Sequence, residues 1–420
     1  MAVTYGRLVI DSENAAWLNK CYYNDNCSID FITEAMGTRY QQAFARYLYN
    51  RIDEKKMSSV RILEVGARGI YFESGIAREL SLLDARHGTR YSEGIVYGLL
   101  DVSQVAIDAA KEEYETNSDA FEIFNTRFYT MDATKGLPNG FDIIVMNELL
   151  DDMPHIVAVK KDNAVYEVLY KISMGDGVCQ STVLERHGLR KINKSMLRNN
   201  EFLACIDNGE ATTYSEYIPK IISNAARSIE GQGLLFIHDY GIKSKVSIGV
   251  AGKLRRLYGG WMPDMVYRSV ESPVQVQITT DINWALVLRS LEMHGFSTEI
   301  AEYHDVFVNE MLGNRIVSFE SLAYGLNSMN IKEKRALLKK LGIEDKEEKG
   351  VNAALASGIN RLLSSNAISF KGSFRSSSSA SVNLRYKVAS DDKMNALYDV
   401  YKRGSAEVNP TMDIAAVKRQ

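Results

Sequence analysis

The sequence is poor in cysteine, which limits the classes of site it can build. It has four cysteines in 420 residues, Cys21, Cys27, Cys179 and Cys205, and no CxxC pair. This argues against a zinc ribbon, a dithiol redox motif and a disulfide-rich scaffold. Cys21 and Cys27 could pair in an oxidising compartment, but nothing in the sequence marks secretion, so we expect reduced thiols.

An excess of one charge and long apolar runs are also missing. The net charge is −3 and 45% of the residues are hydrophobic, which is typical of a globular chain with a sizeable core. Nucleic acid or an anionic membrane would favour a basic protein, and a bilayer span would need a longer apolar run. The N-terminus lacks the pattern of a signal peptide or of an Arg-rich presequence. We therefore expect a cytoplasmic protein with no nucleic-acid or membrane partner. The oligomeric state stays open, with a homodimer as one candidate.

Buried strands and helices alternate between residues 60 and 150. The apolar runs at Arg61–Val65, Ile95–Asp101 and Ile143–Met146 are typical of strands buried on both faces. The third strand in chain order reaches Met131-Asp132-Ala133. One segment with helical spacing lies between the first and second strands, and another lies between the second and third. This alternation predicts an α/β fold with a parallel, doubly wound sheet.

The predicted core occupies residues 60–318, and other segments precede, interrupt and follow it. An N-terminal helical arm is predicted at residues 1–59, because apolar positions recur at helical spacing within Thr33–Ile52. A hairpin is predicted around Asp162-Asn163. The remaining predicted segments are insertions at about 172–213 and 242–278, a C-terminal helical segment at 319–372 and a flexible Ser-rich tail at 373–420.

A polar cluster follows the fourth predicted strand, in the stretch FDIIVMNELLDDMP. Asn147, Glu148, Asp151 and Asp152 come directly after the apolar run and before Pro154. In open α/β sheets, ligands bind at the carboxyl ends of the strands. The cluster is therefore either part of a ligand site or an acid-rich helix start, which the helix dipole favours.

A glycine turn, EVGARG, follows the first predicted strand. Gly66 and Gly69 let a ligand approach the backbone, and the amides at the start of the next helix point toward such a ligand. The full dinucleotide pattern needs glycines at three set positions, which this turn does not have. The turn therefore indicates either a nucleotide-type ligand or a tight structural turn.

Two aspartates end the second and third predicted strands. Asp101 could accept hydrogen bonds from both ribose hydroxyls, or it could cap the next helix. Asp132 could accept a hydrogen bond from an adenine amino group, or it could form a turn before Lys135. With Gly66 and Asn147 they place candidate groups at the carboxyl ends of consecutive strands, which favours one shared site.

This arrangement resembles an S-adenosylmethionine-dependent methyltransferase more than a dehydrogenase, and the MDA step at 131–133 is similar to the adenine-binding step of that superfamily. NELLDDMP resembles the NE-F-F-D-x-L-P signature of the MidA-like methyltransferases, whose mitochondrial members assist assembly of respiratory complex I. Asn147, Glu148, Asp151 and Pro154 stand at the fixed positions of that signature.

Further stretches agree in order along residues 20–372. CYYNDNCSIDFITEAMG, which contains Tyr23, resembles the family's YY…GDFIT segment. Glu216 with Pro219 resembles its acidic helix start, and IHDYG resembles its IDYG strand end. ITTDINWALVLRSLEMHGF and INRLLSSNAISFKGSF resemble two later family segments. The chain departs from the family in having EVGARG for ELGPGRG, Asp101 for Glu, and a histidine directly after the proline.

The resemblance implies a Rossmann-like class I methyltransferase fold, S-adenosyl-L-methionine as cofactor and a protein arginine as acceptor. The partner is then a protein or peptide substrate. A guanidinium, with a pKa above about 12, has no available lone pair until carboxylates orient it and localise its charge. Bidentate carboxylate pairing suits that task. The residues implied to hold the cofactor are Glu64, Gly66, Gly69, Asp101, Asp132, Ala133 and Asn147.

The resemblance also implies which residues act on the acceptor. Glu148 and Asp151 are expected to bind the guanidinium, Asp239 to add a carboxylate, and Asn147 to shape the transfer site. The residues expected to bind other parts of the substrate are Tyr23, Asp152, Glu216 and Tyr240. His238 lies within a predicted buried strand, so we expect a hydrogen-bonded core histidine rather than a base.

Other functions remain compatible with the sequence. The same fold could methylate a small molecule or a natural-product peptide. The atypical glycine turn also fits a non-catalytic assembly factor that kept the fold and lost its affinity for the cofactor. A dehydrogenase is the least favoured alternative. No cluster of His, Cys, Asp or Glu has metal-ligand spacing, so we expect no metal.

Overall fold

The computed structural model describes most of the chain between residues 37 and 343 and shorter pieces outside it. The described residues are 2–4, 37–67, 69–117, 124–173, 183–198, 200–247, 281–313, 316–343, 350–352, 354–355, 359, 367–368, 385–387, 392–408 and 411–419. The chain divides into two compact units. The larger is Met1–Ala301 with Met412–Gln420, and the smaller is Glu302–Thr411.

The described elements are numbered here in chain order. The strands are β1 (Ala2–Thr4), β2 (Val60–Val65), β3 (Ile95–Asp101), β4 (Asn125–Thr130), β5 (Phe141–Asn147), β6 (Ile156–Lys161), β7 (Ala164–Ser173), β8 (Val183–Lys191), β9 (Glu210–Tyr214), β10 (Ile229–Asp239), β11 (Gly241–Ile242), β12 (Val246–Ser247), β13 (Ile282–Asn283), β14 (Phe296–Tyr303), β15 (Ile316–Ser318), β16 (Ala367–Ile368), β17 (Arg385–Lys387) and β18 (Met412–Lys418). The helices are α1 (Thr38–Lys55), α2 (Tyr71–His87), α3 (Gln104–Asn117), α4 (Lys194–Arg198), α5 (Glu201–Ala204), α6 (Tyr217–Ser228), α7 (Trp284–Met293), α8 (His304–Leu312), α9 (Phe319–Ser328), α10 (Ile331–Leu341) and α11 (Asp392–Val408), with a 3₁₀ turn at Ser92–Gly94. Within the described residues, no helix combines the length and the apolarity needed to cross a membrane.

The larger unit is built on a seven-stranded sheet in the order β14-β18-β10-β5-β2-β3-β4. The five strands from β10 to β4 run parallel to one another. Their central members are apolar along nearly their whole length and buried, as parallel strands covered on both faces must be. The predicted α/β fold with a doubly wound sheet is therefore confirmed.

The last described strand, β18, corrects the prediction of a flexible tail at 373–420. It runs antiparallel to β10 and lies between β14 and β10 in the sheet, where Ile414, Ala415 and Ala416 are fully buried. Helix α11 also falls in the predicted tail. The strand escaped prediction because alanine favours strands only weakly and because its partner residues lie about 175 residues away in the sequence.

A second, antiparallel sheet is formed by β1 and by strands that follow the acidic cluster in sequence. Its strands run in the order β1-β7-β6-β9-β12, and β8 pairs with β7. The predicted hairpin is confirmed: Asp162 and Asn163 join β6 to β7 with φ of 52° and 59°, as a two-residue turn of this kind requires. The predicted insertion at 172–213 supplies β8, α4, α5 and β9 to this sheet and its small core. Most of the predicted insertion at 242–278 lies outside the described residues.

Helix α1 covers part of the central sheet with an aromatic face. Tyr40 and Phe44 are fully buried, and the Phe44 ring lies 4.7 Å from Phe236 and 5.7 Å from Phe72. The helix starts inside the predicted segment Thr33–Ile52 and ends three residues after it. Residues 5–36, which include Tyr23, lie outside the described residues.

The smaller unit is helical around a core of its own. Leucines from α10 pack with residues of α11, such as Leu397 and Tyr401. Helix α10 begins with a capping box, in which Asn330 accepts from the Glu333 amide and the Glu333 side chain accepts from the Asn330 amide. The predicted helical segment at 319–372 thus includes α9 and α10, but the unit begins at Glu302 and extends to Thr411.

Glu73 in the first turn of α2 makes stability depend on pH. Its side chain is fully buried, burial raises its pKa to about 8, and Oε2 has no hydrogen-bond partner in the described part of the chain. The unfolded chain loses this proton near pH 4.5 while the folded chain keeps it to about pH 8, so stability falls across that window. Glu73→Gln is expected to raise the free energy of unfolding by roughly 2–4 kcal/mol at pH 8.5, and by little at pH 4.

Urea unfolding at the two pH values measures this difference. Glu115→Gln is the matched control, because Glu115 is an exposed carboxylate paired with Lys111 on α3. If Glu73→Gln were no more stable than the wild type at pH 8.5, the account of this buried carboxyl would be wrong.

Candidate functional site

The carboxyl ends of β2 and β5 lie side by side at the point where the strand order reverses. From β2 the chain continues outward through β3 and β4, whereas β5 leads to β10 on the other side. A crevice forms at such a switch point because the connections leave it in opposite directions. The structure brings the glycine turn after β2 and the acidic cluster after β5 to this place, as the sequence predicts.

The glycine turn and the acidic cluster are in direct contact. Gly66 has φ of 82°, and a Cβ built on it would lie 2.8 Å from Cδ1 of Leu149. The amides of Gly66 and Ala67 both donate to the Leu100 carbonyl, at 2.8 and 3.1 Å, which fixes the turn against β3. Glycine is therefore required at position 66 both by the backbone conformation and by the contact.

Gly69 has an extended positive φ of 149° shortly before α2 begins at Tyr71. A Cβ there would meet Oε2 of Glu113 at 3.1 Å, and that oxygen also accepts from the Ile70 amide at 3.4 Å. Gly69 thus brings the backbone close to α3 where the next helix starts. Arg68, which stands in place of a family glycine, lies outside the described residues.

Glu64 is placed differently from its predicted role. Its carboxyl is buried and accepts a hydrogen bond from the Tyr97 hydroxyl at 2.9 Å, and burial raises its pKa to about 7. The Tyr97 ring is itself fully buried. Glu64 is therefore a core carboxyl in this structure, which differs from the prediction that it holds the cofactor.

Asp101 lies at the carboxyl end of β3, as predicted. Its carboxylate accepts from the Ser103 amide at 2.7 Å, while the Ser103 hydroxyl accepts from the Ala106 amide at 3.3 Å. The Ser103 side chain therefore bonds an amide of the first turn of α3. Asp101 supports the turn between β3 and α3, and its half-buried side chain stays at the edge of the sheet.

Asp132 follows β4 and organises its own turn. It accepts from the Thr134 amide at 3.0 Å and the Thr134 hydroxyl at 2.6 Å, and Lys135 Nζ lies 3.0 Å away. Burial alone would raise the pKa of Asp132, but these hydrogen bonds lower it below its usual value. The neighbouring Ala133 carbonyl accepts from Asn224 Nδ2 at 2.6 Å. Asp132 and Ala133 thus lie at the carboxyl edge of the sheet, as predicted, and both make hydrogen bonds there.

Two exposed apolar side chains follow these strands, and neither is among the predicted site residues, although Met131 begins the MDA step at 131–133. Val102, directly after Asp101, is 65% exposed, and Met131, directly after β4, is 39% exposed. The Met131 amide donates to the Asp101 carbonyl at 2.9 Å, which fixes the two strand ends to each other. Apolar side chains beside polar groups at a sheet edge suit a flat aromatic ligand such as adenine. Their position directly after the strand-ending residues is the signal that could have identified them.

The acidic cluster begins with a strained residue. Asn147 ends β5 opposite His238 of β10, and Glu148 then takes a left-handed backbone with φ of 49°. The Glu148 amide donates to the His238 carbonyl at 2.8 Å, and its carboxylate is hydrogen-bonded to the Tyr240 hydroxyl. Such a conformation costs roughly 1 kcal/mol for a residue with a side chain, and strain of this kind concentrates at functional sites.

Asp239 holds the acidic cluster in place through backbone hydrogen bonds. It is fully buried and accepts from the amides of Leu150 at 2.8 Å, Asp151 at 3.2 Å and Tyr240 at 2.7 Å. Burial raises the pKa of Asp239 well above its usual range against these amides, and the nearby charge of Glu148 raises it further. Asp239 therefore positions the backbone that carries Leu150 and Asp151.

The remaining predicted residues differ in their surroundings. Asp151 is buried and Asp152 is half-buried, both within the cluster. Glu216 is exposed just before α6 and pairs with Lys220 at 3.1 Å, so it is a solvent-facing ion pair in this structure. Burial lowers the pKa of His155 to about 4. His238 is confirmed as a hydrogen-bonded core histidine, with Nδ1 2.8 Å from Asp413.

Gly66→Ala tests the contact between the glycine turn and the acidic cluster. Both Gly66 and Gly88 have a positive φ, but an added Cβ meets Leu149 at position 66 and nothing within 4 Å at position 88. We expect Gly66→Ala to lower the free energy of unfolding by about 1–3 kcal/mol more than Gly88→Ala does, because the added methyl overpacks this contact. Chemical denaturation of both variants measures the difference. Equal losses would show that backbone strain alone accounts for the glycine.

The edge of the sheet fits a nucleoside cofactor. It offers a glycine turn at the start of a helix, Asp101 at the end of the neighbouring strand, and the exposed side chains of Val102 and Met131 beyond it. A turn, a carboxylate and an apolar surface match the amino-acid, ribose and adenine parts of such a molecule.

Comparison with known proteins identifies the family. A family model described as "Putative S-adenosyl-L-methionine-dependent methyltransferase" matches residues 43–301, more than half of the chain. A structure from Burkholderia thailandensis solved with bound S-adenosylhomocysteine is similar, with a TM-score of 0.50 and 16% identity over 100% of this chain and 88% of that chain. A native structure of an uncharacterized protein from the same bacterium gives a TM-score of 0.49 and 17% identity over 94% of this chain and 90% of that chain. No curated protein matches the chain.

At such identities the likeness to the B. thailandensis structure shows a shared fold. The family model covers the central strands β2, β3, β4, β5 and β10, and thus both the glycine turn and the acidic cluster. The chain therefore belongs to this family of S-adenosyl-L-methionine-dependent methyltransferases, with the fold of a class I methyltransferase and S-adenosyl-L-methionine as its cofactor.

Proposed function

We propose that this methyltransferase acts on a nitrogen of a protein arginine and that it belongs to the MidA-like branch of the family. The observation that supports this proposal best is the environment of Glu148. Its carboxylate stands at the switch point of the sheet, in a strained backbone conformation and hydrogen-bonded to the Tyr240 hydroxyl. A carboxylate held in this way suits a cationic acceptor such as a guanidinium.

The acceptor must be prepared before it can react. When bound, S-adenosyl-L-methionine supplies a methyl group on a sulfonium, which is already a good leaving group. The protein's task is then mainly to position the acceptor and to exclude water. A guanidinium nitrogen gains nucleophilic character when carboxylates pair with the rest of the group, because the positive charge is then localised away from that nitrogen.

In this proposal Glu148 and Asp151, which follow β5, have a different role from Asp239. Burial raises the pKa of Asp239, while the amides of Leu150 and Asp151 that donate to its carboxylate act in the opposite direction. Asp239 therefore shapes the loop, and Glu148 and Asp151 carry the charge that faces the acceptor.

Glu148 is also the group placed to take the released proton. Transfer of a methyl cation to the positively charged guanidinium adds a second positive charge, so one nitrogen-bound proton must leave to give the methylated guanidinium with its single charge. A carboxylate that pairs with the guanidinium can accept this proton and pass it to water. Asn147, next to Glu148 and at the end of β5, is placed to shape the position of the transferred methyl group.

A labelling experiment tests the class of acceptor. The full-length protein is incubated with methyl-labelled S-adenosyl-L-methionine and a cell lysate, and the label is separated into protein and small-molecule fractions. We expect the label in the protein fraction. Label only in small molecules would replace a protein acceptor with a metabolite or peptide. No transfer, with S-adenosylhomocysteine still bound in calorimetry, would indicate a non-catalytic protein.

A further inference from the structure

The last described strand brings a buried carboxylate next to the acidic cluster. In the register of β18 against β10, Asp413 lies opposite His238 and Met412 lies opposite Asp239. In the register of β10 against β5, the same His238 lies opposite Asn147. Asp413 therefore lies two strands away from the end of β5, and both Asp413 and His238 are at most 1% exposed.

Three distant parts of the larger unit meet at this carboxylate. One oxygen of Asp413 accepts from the Tyr40 hydroxyl of α1 at 3.0 Å and from Nδ1 of His238 at 2.8 Å. The Tyr40 and His238 rings lie 4.6 Å apart, and Tyr40 also stacks on Phe72 at 5.7 Å. The His238 side chain is thus held by a carboxylate on one side and an aromatic ring on another.

The backbone of His238 in turn holds the first carboxylate of the cluster. The His238 carbonyl accepts a hydrogen bond from the Glu148 amide at 2.8 Å. Glu148 is the first residue after β5, and its φ is 49°. We propose that Asp413 is a positioning residue of the transfer site: with Tyr40 it fixes His238, and through the His238 carbonyl it fixes the backbone at Glu148.

The chemistry of the surrounding strand argues that this group has more than a packing role. The next three residues of β18 are Ile414, Ala415 and Ala416, all fully buried. An aliphatic residue at 413 would suit such a strand, because a buried carboxylate costs free energy unless its hydrogen bonds are satisfied. A satisfied buried polar network makes its surroundings rigid, and here the rigid element is the one that carries Glu148.

Asp413→Leu and Asp413→Asn separate positioning from simple burial. Leucine removes the acceptor oxygen, whereas asparagine keeps one that can serve both Tyr40 and His238. Lys418→Met is the matched control on the same strand, because Lys418 donates to the Ile229 carbonyl at 2.7 Å near the other end of the strand pair. Hydrogen exchange of the Glu148 amide is the primary measurement, since it needs no acceptor.

We expect Asp413→Leu to speed exchange at Glu148 by at least about tenfold relative to Lys418→Met, and Asp413→Asn to restore most of the protection. The initial rate of methyl incorporation at saturating S-adenosyl-L-methionine should fall in parallel, with the affinity for S-adenosylhomocysteine unchanged. If Asp413→Leu does not fold, Tyr40→Phe takes its place, with a smaller change expected in the same direction.

Unchanged Glu148 exchange in the folded variant would overturn the proposal. The effect on transfer rests on the proposed function, but the effect on the Glu148 amide does not. A wild-type protein that transfers no methyl group would therefore count against the proposed function alone, and the exchange data would still decide the role of Asp413.

Discussion

Glu148→Gln is expected to slow methyl transfer at least about a hundredfold and to leave the affinity for S-adenosylhomocysteine within about twofold. Glutamine keeps the shape of the side chain and can still bond the Tyr240 hydroxyl, but it carries no charge to pair with a guanidinium and accepts no proton. Because the substitution leaves the glycine turn and Asp101 intact, the cofactor should bind as before.

Asp162→Asn is the matched control for this substitution. Asp162 is also an acidic residue with a positive φ, 52° against 49° for Glu148, but it lies in the exposed hairpin turn between β6 and β7. Loss of its charge should leave transfer unchanged. The measurements are label incorporation into protein and calorimetry with S-adenosylhomocysteine. Full activity in Glu148→Gln would refute the role given to this carboxylate.

Asp239→Asn is expected to lower the free energy of unfolding by about 3 kcal/mol. The two oxygens of Asp239 accept from three backbone amides on both sides of the carboxyl group. An asparagine must turn its NH₂ group toward at least one of those amides, so a buried donor would face another donor. The loop that carries Asp151 should lose its fixed position, and methyl transfer should fall together with stability.

Asp142→Asn is the matched control for the loss of stability expected in Asp239→Asn. Asp142 also lies on β5 and accepts from the Arg61 amide at 2.8 Å, but it is half-buried and has one such amide instead of three. Its substitution should lower stability by less than about 1 kcal/mol. Urea unfolding of both variants gives the two values. Equal small losses would show that the amides around Asp239 are not needed to hold the acidic cluster.

The parts of the fold that the sequence predicts are those determined by local patterns. The strands β2, β3 and β5 are continuous apolar runs, which only burial on both faces explains. The hairpin at Asp162-Asn163 follows from two residues that tolerate a left-handed backbone. The acidic cluster and the glycine turn could be placed together because carboxyl ends of parallel strands share one edge.

The parts that the sequence does not predict depend on distant partners. In the sequence, the whole smaller unit separates β18 from the other strands of the central sheet. No local pattern therefore marks Asp413 as part of the site. Glu64 and Asp239 were expected at the ligand because of their motifs, but their contacts are a tyrosine hydroxyl and backbone amides in the core. A motif fixes the position of a residue along the strand, whereas the direction of its side chain depends on neighbours from other strands.

The identity of the methylated residue tests the account most directly. Protein labelled by the wild-type enzyme and by Glu148→Gln is hydrolysed in acid, and the labelled amino acids are separated by chromatography and identified by mass. We expect labelled dimethylarginine from the wild type and almost none from the variant. Label in any residue other than arginine, or equal label from both proteins, would contradict it.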